Sequence, residues 1–139
     1  MAGLRHIIES QQFSRDWLEH ELFPNTRKME KIVEKGGSDL LKGKRIVSFF
    51  YEPSTRTRAS FEIATDLLGG KVVFSTENAK EFSSVAKGET IEDTIKVLSS
   101  YKPHVIVLRS DKEGMAKIAA ESSSVPIINA GDGEGQHPT

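Results

Sequence analysis

The run Ile46-Val47-Ser48-Phe49-Phe50-Tyr51 constrains this chain more than any other stretch. It is predominantly β-branched and aromatic, the signature of a buried strand. Pro53 biases Glu52 towards an extended backbone, so the strand is predicted to end there. Beyond it, Phe61, Ala64 and Leu68 fall on one helical stripe, with Ile63 and Leu67 beside them. A buried strand leading straight into an amphipathic helix is one step of an α/β alternation, and the rest of the chain repeats it.

Ser14 to Lys35 reads as helical, with Phe13, Trp17, Leu18 and Leu22 before Pro24 and Met29, Ile32 and Val33 after it. Pro24 is expected to kink or divide this helix, and Gly36-Gly37 to end it. After the central strand and helix, Lys71 to Phe74 gives a second strand. Ser75 to Gly88 has no clear periodicity, and its length marks either a functional connection or a solvated surface loop. Thr90 opens the next helix with Asp93 as capping-box partner, and Ile91, Ile95 and Leu98 form its buried stripe. His104 to Leu108 is a third strand. Ser110 and Glu113 form a second capping box, opening a helix with Met115, Ile118 and Ala119 inward. Pro126 to Asn129 is a fourth strand, and Gly131 to Thr139 a glycine-rich tail. The expected fold is α/β, one domain over residues 1–139, with a parallel sheet of about four strands covered by helices on both faces.

Composition narrows the function. The net charge of −1 argues against nucleic acid or an anionic membrane as partner, so any preference for anions must be local. With no cysteine, disulfides, thiolate metal sites and cysteine nucleophiles are excluded. The four histidines and many carboxylates lack ligand spacing, so neither metal nor cofactor is expected. No signal-peptide core or membrane-spanning run is read, and a cytoplasmic setting is expected.

The chemistry concentrates between the first strand and its helix. Ser54-Thr55-Arg56-Thr57-Arg58 places hydroxyls and guanidiniums where a helix N-terminus already offers free N–H groups and partial positive charge. Such a cluster is a receptor for phosphate or a similar oxyanion. Capping by Ser54 or Thr55 with solvent-facing arginines is the plainer alternative. It leaves unexplained two cations in a first turn that disfavours them. Ligands of such sheets bind outside the carboxyl ends of the strands. That rule aligns Ser54 to Arg58 with Arg109 and the Gly131–Thr139 tail. Arg109, ending an apolar strand, reads equally as a snorkelling or a functional residue. His137 alone reads as an exposed tail histidine.

Taken together, Ser-Thr-Arg-Thr-Arg after an apolar strand, Lys87-Gly88-Glu89-Thr90, Asn129-Ala130-Gly131-Asp132-Gly133 and Gln136-His137-Pro138-Thr139 resemble the catalytic chain of the aspartate carbamoyltransferase family. The resemblance covers nearly the whole sequence, but only the amino-terminal, carbamoyl-phosphate-binding half of that chain. It implies that the aspartate-binding domain is absent here and that the fragment alone is inactive. It further implies carbamoyl transfer from carbamoyl phosphate to L-aspartate, in pyrimidine biosynthesis, without a cofactor. By the same resemblance Ser54, Thr55, Arg56 and Thr57 hold the phosphate, while Thr57, Arg109 and His137 contact the carbonyl oxygen. Arg56, Thr57, Arg109 and His137 are then the catalytic set, and Glu52 and Arg58 brace the loop. Lys87, with Ser83 or Ser84 (Ser84 in our reading), matches residues that reach a neighbouring subunit's site. A homotrimer with shared sites follows, with room for a regulatory chain. Ornithine carbamoyltransferase shares the Ser-Thr-Arg-Thr-Arg loop and is the nearest rival; a non-catalytic anion-binding domain is the second.

Overall fold

The computed structural model describes residues 4–82 and 87–138. Four parallel strands form one sheet in the order β2-β1-β3-β4, with β1 at Arg45–Phe50, β2 at Lys71–Thr76, β3 at Val105–Ser110 and β4 at Ile127–Asp132. β1 is central, which accounts for its run of side chains buried on both faces. Alternate residues go to opposite sides. Val47, Phe49 and Tyr51 join Ile106, Leu108 and Ile127 on one face, and Ile46 and Phe50 join Val107 and Ala130 on the other.

Helices cover both faces. Between β1 and β2 runs α3 (Thr55–Leu67), whose Phe61 packs on the Phe50 side. Between β2 and β3 runs α5 (Ile91–Ser100), and between β3 and β4 runs α6 (Met115–Ser122). These two supply Ile91, Ile95, Leu98 and Ala119 to the opposite side. Thr90 caps α5 as expected, its hydroxyl accepting the Asp93 N–H at 3.2 Å.

Several boundaries differ from the sequence reading. α1 (Arg15–Trp17) and α2 (Phe23–Glu34) are joined by a wider π turn at Leu18–Leu22, which places Pro24 in the first turn of α2. β2 runs on to Thr76, and the expected long loop contains α4 (Ala79–Phe82). Its entry is local: Glu81 N–H donates to the Asn78 carbonyl, and Asn78 Nδ2 to Glu81 Oε2. The second capping box does not form, because Ser110 is the last residue of β3. Its hydroxyl accepts the Lys112 N–H at 3.1 Å, and α6 begins only after Gly114. Ala116 and Ala119 face inward, while Ile118 is exposed.

β4 also extends past Asn129, so Gly131 and Asp132 are strand rather than tail. The turn that follows is held by the buried Asp132, whose carboxylate accepts N–H groups from Gln136 (2.6 Å) and Gly114 (3.0 Å). Along the edge of β4 the amino-terminal segment adds a parallel bridge, Ile7 to Ile128, that the sequence reading did not include. Ile7 N–H donates to the Ile127 carbonyl, and Asn129 N–H to that of Ile7. Beside them Ile127 N–H donates to His6 Nδ1 at 3.1 Å.

That last bond requires an unprotonated Nδ1. Burial, with some repulsion from Arg5, holds the His6 imidazole below its ordinary value. The unfolded chain therefore takes up this proton first as pH falls. Stability should be fully present above about pH 6.5, the ordinary histidine value, and should decline below it. Urea unfolding from pH 7.5 to 5 should show this decline in wild type and a smaller one in His6→Gln. Equal slopes would contradict a neutral His6 seated on β4.

Candidate functional site

β1 and β3 deliver two groups of polar side chains to the same sheet edge. Phe50 pairs in register with Arg109, and Tyr51 N–H donates to the Arg109 carbonyl at 2.9 Å. The Ser54 to Arg58 loop thus starts just beyond the residue opposite Arg109.

In that loop Ser54 is the N-cap residue of α3, but its hydroxyl does not cap. Its backbone N–H donates to Glu77 Oε1 at 2.9 Å, and its carbonyl accepts the Arg58 N–H, the first turn's own bond. Thr55 and Arg56 are exposed, and Thr57 is half-buried. Among the described residues no carboxylate pairs with Arg56. Arg58 is turned inward instead. Its Nη1 reaches Glu62 (3.4 Å) and Ser75 Oγ (3.1 Å), and its Nη2 reaches Glu77 (3.2 Å). The two arginines are therefore unlike: one braces the turn against β2, and the other faces solvent.

Arg109 organises the second group. It lies within β3 rather than after it. Its Nε donates to Glu52 Oε1 at 2.7 Å, and its Nη1 to the Ala130 carbonyl (3.2 Å) and His137 Nε2 (3.1 Å). A bulge makes this fit. Leu108 pairs with Asn129 and Ser110 with Asp132, so β4 carries one more residue than β3 across the interval. The extra length falls at Ala130-Gly131, where Gly131 has φ 121°. A Cβ on Gly131 would lie 2.9 Å from Arg109 Nη1 and 3.1 Å from His137 Cδ2. Only glycine leaves room for the pair.

Of the residues singled out from sequence, the structure brings Arg109 and His137 into contact and sets Ser54, Thr55, Arg56 and Thr57 at the neighbouring helix end. Glu52 binds Arg109. Lys87 is exposed, and Ser83 and Ser84 lie outside the described residues. Sequence reasoning missed Glu77 and also the Lys80–Asp111 pair, Nζ to Oδ2 at 2.7 Å. Lys80 holds the Asp111 carboxyl below the usual range, and Asp111 raises the Lys80 ammonium. Burial pushes the Tyr51 phenol up to about 12, so it stays neutral at ordinary pH. No cluster of metal-ligating groups occurs among the described residues. A larger cavity of about 550 Å³ lies between β2 and α5, but Val73, Phe74, Val97, Leu98 and Tyr101 give it an apolar lining unsuited to an oxyanion.

These features define a parallel α/β domain that gathers guanidinium, hydroxyl and imidazole groups at the carboxyl ends of its two central strands. Residues 5–139 match the family described as aspartate/ornithine carbamoyltransferase, carbamoyl-P binding domain, and the chain belongs to that family. It is 51% identical to a chloroplastic aspartate carbamoyltransferase of Arabidopsis thaliana over 98% of its own length and 34% of that protein's. It is 54% identical to the aspartate carbamoyltransferase catalytic subunit of Methanococcoides burtonii, covering 96% of itself and 42% of that subunit. The chain thus spans less than half the length of these relatives.

Solved structures agree with the fold. The catalytic subunit of M. jannaschii aspartate transcarbamoylase superposes with a TM-score of 0.87 at 48% identity, over 97% of this chain and 43% of that one. The Trypanosoma cruzi enzyme, solved in complex with carbamoyl phosphate and aspartate, superposes at 0.85 with 37% identity, over 96% and 43%.

The packing around Gly131 gives a direct check. Gly131→Ala should cost about 1–3 kcal/mol, because it forces a side chain into a left-handed backbone and displaces the Arg109–His137 pair. Urea denaturation measures this, and an unchanged midpoint would contradict the close packing described.

Proposed function

We propose that the chain is the carbamoyl-phosphate-binding half of an aspartate carbamoyltransferase catalytic chain, with Ser54, Thr55, Arg56 and Thr57 receiving the phosphate and Thr57, Arg109 and His137 the carbonyl oxygen. The observation that carries this reading is the junction of two donor sets at one sheet edge: the α3 N-terminus with its unpaired Arg56, and the Arg109–His137 pair. Aspartate rather than ornithine is supported by the names of the relatives, plant and archaeal alike.

In this reading the amine of aspartate attacks the carbonyl carbon, and negative charge grows on the carbonyl oxygen. Arg109 is already fixed by Glu52 and the Ala130 carbonyl, so it meets that charge without reorganising. His137 and Thr57 add donors at the same oxygen. The carbon–oxygen bond to phosphate then breaks, the attacking nitrogen gives up its extra proton to the departing phosphate, and the departing electron pair stays with the phosphate, where Arg56 and the N–H groups of the first turn stabilise it. Lys87 and Ser84 are assigned to the site of a neighbouring copy, in a homotrimer that a regulatory chain can join. Pyrimidine biosynthesis in the cytoplasm is the setting proposed, although the plant relatives are described as chloroplastic. No cofactor enters the scheme.

This division of labour separates the arginines. Arg56→Ala should weaken binding of both inorganic phosphate and carbamoyl phosphate, by about 1.5–3 kcal/mol for one charge-assisted contact. Arg109→Ala should weaken carbamoyl phosphate alone. Calorimetric titration of both ligands decides, and equal losses in Arg109→Ala would overturn its assignment to the carbonyl.

Residues 1–139 by themselves should not form carbamoyl aspartate. Holding two reactants in one geometry accounts for roughly 7–11 kcal/mol of barrier lowering, and by the resemblance the aspartate-binding domain lies outside these residues. A folded sample incubated with carbamoyl phosphate and aspartate tests this. Product well above the uncatalysed rate would place more of the aspartate site in this half.

A further inference from the structure

Glu77 stands in the turn between β2 and α4, outside the residues assigned to substrate. Its carboxylate is nevertheless at the N-terminus of α3, where Oε1 accepts the Ser54 N–H at 2.9 Å and Oε2 pairs with Arg58 at 3.2 Å. Arg58 also faces Glu62 at 3.4 Å. One guanidinium thus meets two carboxylates, while Arg56 meets none among the described residues. The second carboxylate is more than Arg58 needs, and its hydrogen bond goes to a backbone donor at the end of a helix dipole. Such a position attracts any oxyanion.

We propose that Glu77 is an internal stand-in for the substrate's phosphate, holding the Ser54 N–H until an incoming phosphoryl group takes it. The proposal rests on the reading that phosphate binds at Ser54 to Thr57. A phosphoryl group beside the Glu77 carboxylate would suffer like-charge repulsion, so its arrival displaces Glu77 towards solvent.

A brace and a stand-in predict opposite signs when Glu77 loses its charge. Inorganic phosphate should be titrated calorimetrically into the full chain as wild type, Glu77→Gln, Glu77→Asp and Arg56→Ala, with folding checked by circular dichroism. Glu77→Gln should bind phosphate about tenfold more tightly, the weight of one charge-assisted hydrogen bond removed from competition. Glu77→Asp keeps the charge but is too short to reach Ser54, and should fall between wild type and Glu77→Gln. Unchanged or weaker binding in Glu77→Gln would overturn the proposal and make Glu77 a brace. If Glu77→Gln fails to fold, Glu77→Asp decides alone by the same criterion. Arg56→Ala tests the underlying site separately: if it leaves phosphate affinity unaltered, the phosphate reading fails whatever Glu77 does.

Discussion

The structure turns on a cation placed within a buried strand. Arg109 occupies β3 between the buried Leu108 and Ser110, where a charged side chain is tolerated only if it is paired and hydrogen-bonded. It meets that condition three ways, through Glu52, the Ala130 carbonyl and His137. Each partner in turn depends on a different part of the fold. Glu52 follows β1, the Ala130 carbonyl is turned towards Arg109 at the β4 bulge, and His137 arrives on a turn folded back over Gly131. The bulge and the glycine are needed because a regular ladder with a Cβ there would exclude the guanidinium.

The turn bearing His137 shows how far this dependence extends. Asp132 takes backbone N–H groups from both Gln136 and Gly114, so one buried carboxylate fixes the return of the chain and the start of α6 together. Asn129 adds a clasp: its Nδ2 donates to the Ile8 carbonyl at 2.8 Å and its Oδ1 accepts the Gly131 N–H at 2.9 Å. The amino-terminal segment is thereby tied to the same corner. Glycines that read as a loose tail become a closed structure because two polar side chains satisfy its backbone.

What was legible in the sequence follows from this. β1 and α5 declared themselves through apolar residues that the fold buries, whereas α3 read as amphipathic although only Thr65 is fully buried, Phe61 is partly buried and Ile63 and Ala64 of its expected apolar stripe are exposed. The Ser54–Arg58 cluster was legible because its residue types contradict the helix dipole they sit on. β2 beyond Phe74 was not legible: it is a sheet edge with Phe74 exposed, and its Ser75 serves the polar Arg58 network rather than a core. The ends of β3 and β4 were obscured in the same way, by Arg109, Gly131 and Asp132, which read as breakers although Arg109 is held by Glu52 and His137, Gly131 by the Asn129 side chain, and Asp132 by the N–H groups of Gln136 and Gly114. Glu77 and the Lys80–Asp111 pair gave no signal, because a single charge in a polar stretch resembles any solvated residue.

These contacts also reconcile the proposed anion receptor with a chain of net charge −1. The cations at the sheet edge are not simply in excess. Arg58 is matched by Glu62 and Glu77, Arg109 by Glu52, and Lys80 by Asp111. Among the described residues Arg56 has no carboxylate partner, and it stands at the start of α3, at the positive end of the dipole. Pairing the others shortens the reach of the site's field, since opposed charges a few ångströms apart cancel at larger distances and salt screens the remainder over roughly 8–10 Å, and leaves the positive potential concentrated at one helix end. In the proposed site, selectivity for phosphate rests on geometry, namely the first turn of α3 and the Arg56 guanidinium, which has no carboxylate partner among the described residues, rather than on bulk charge. Glu52 and Glu62 do a second task by holding Arg109 and Arg58 in place, so that little ordering of these two side chains remains to be done when a ligand arrives.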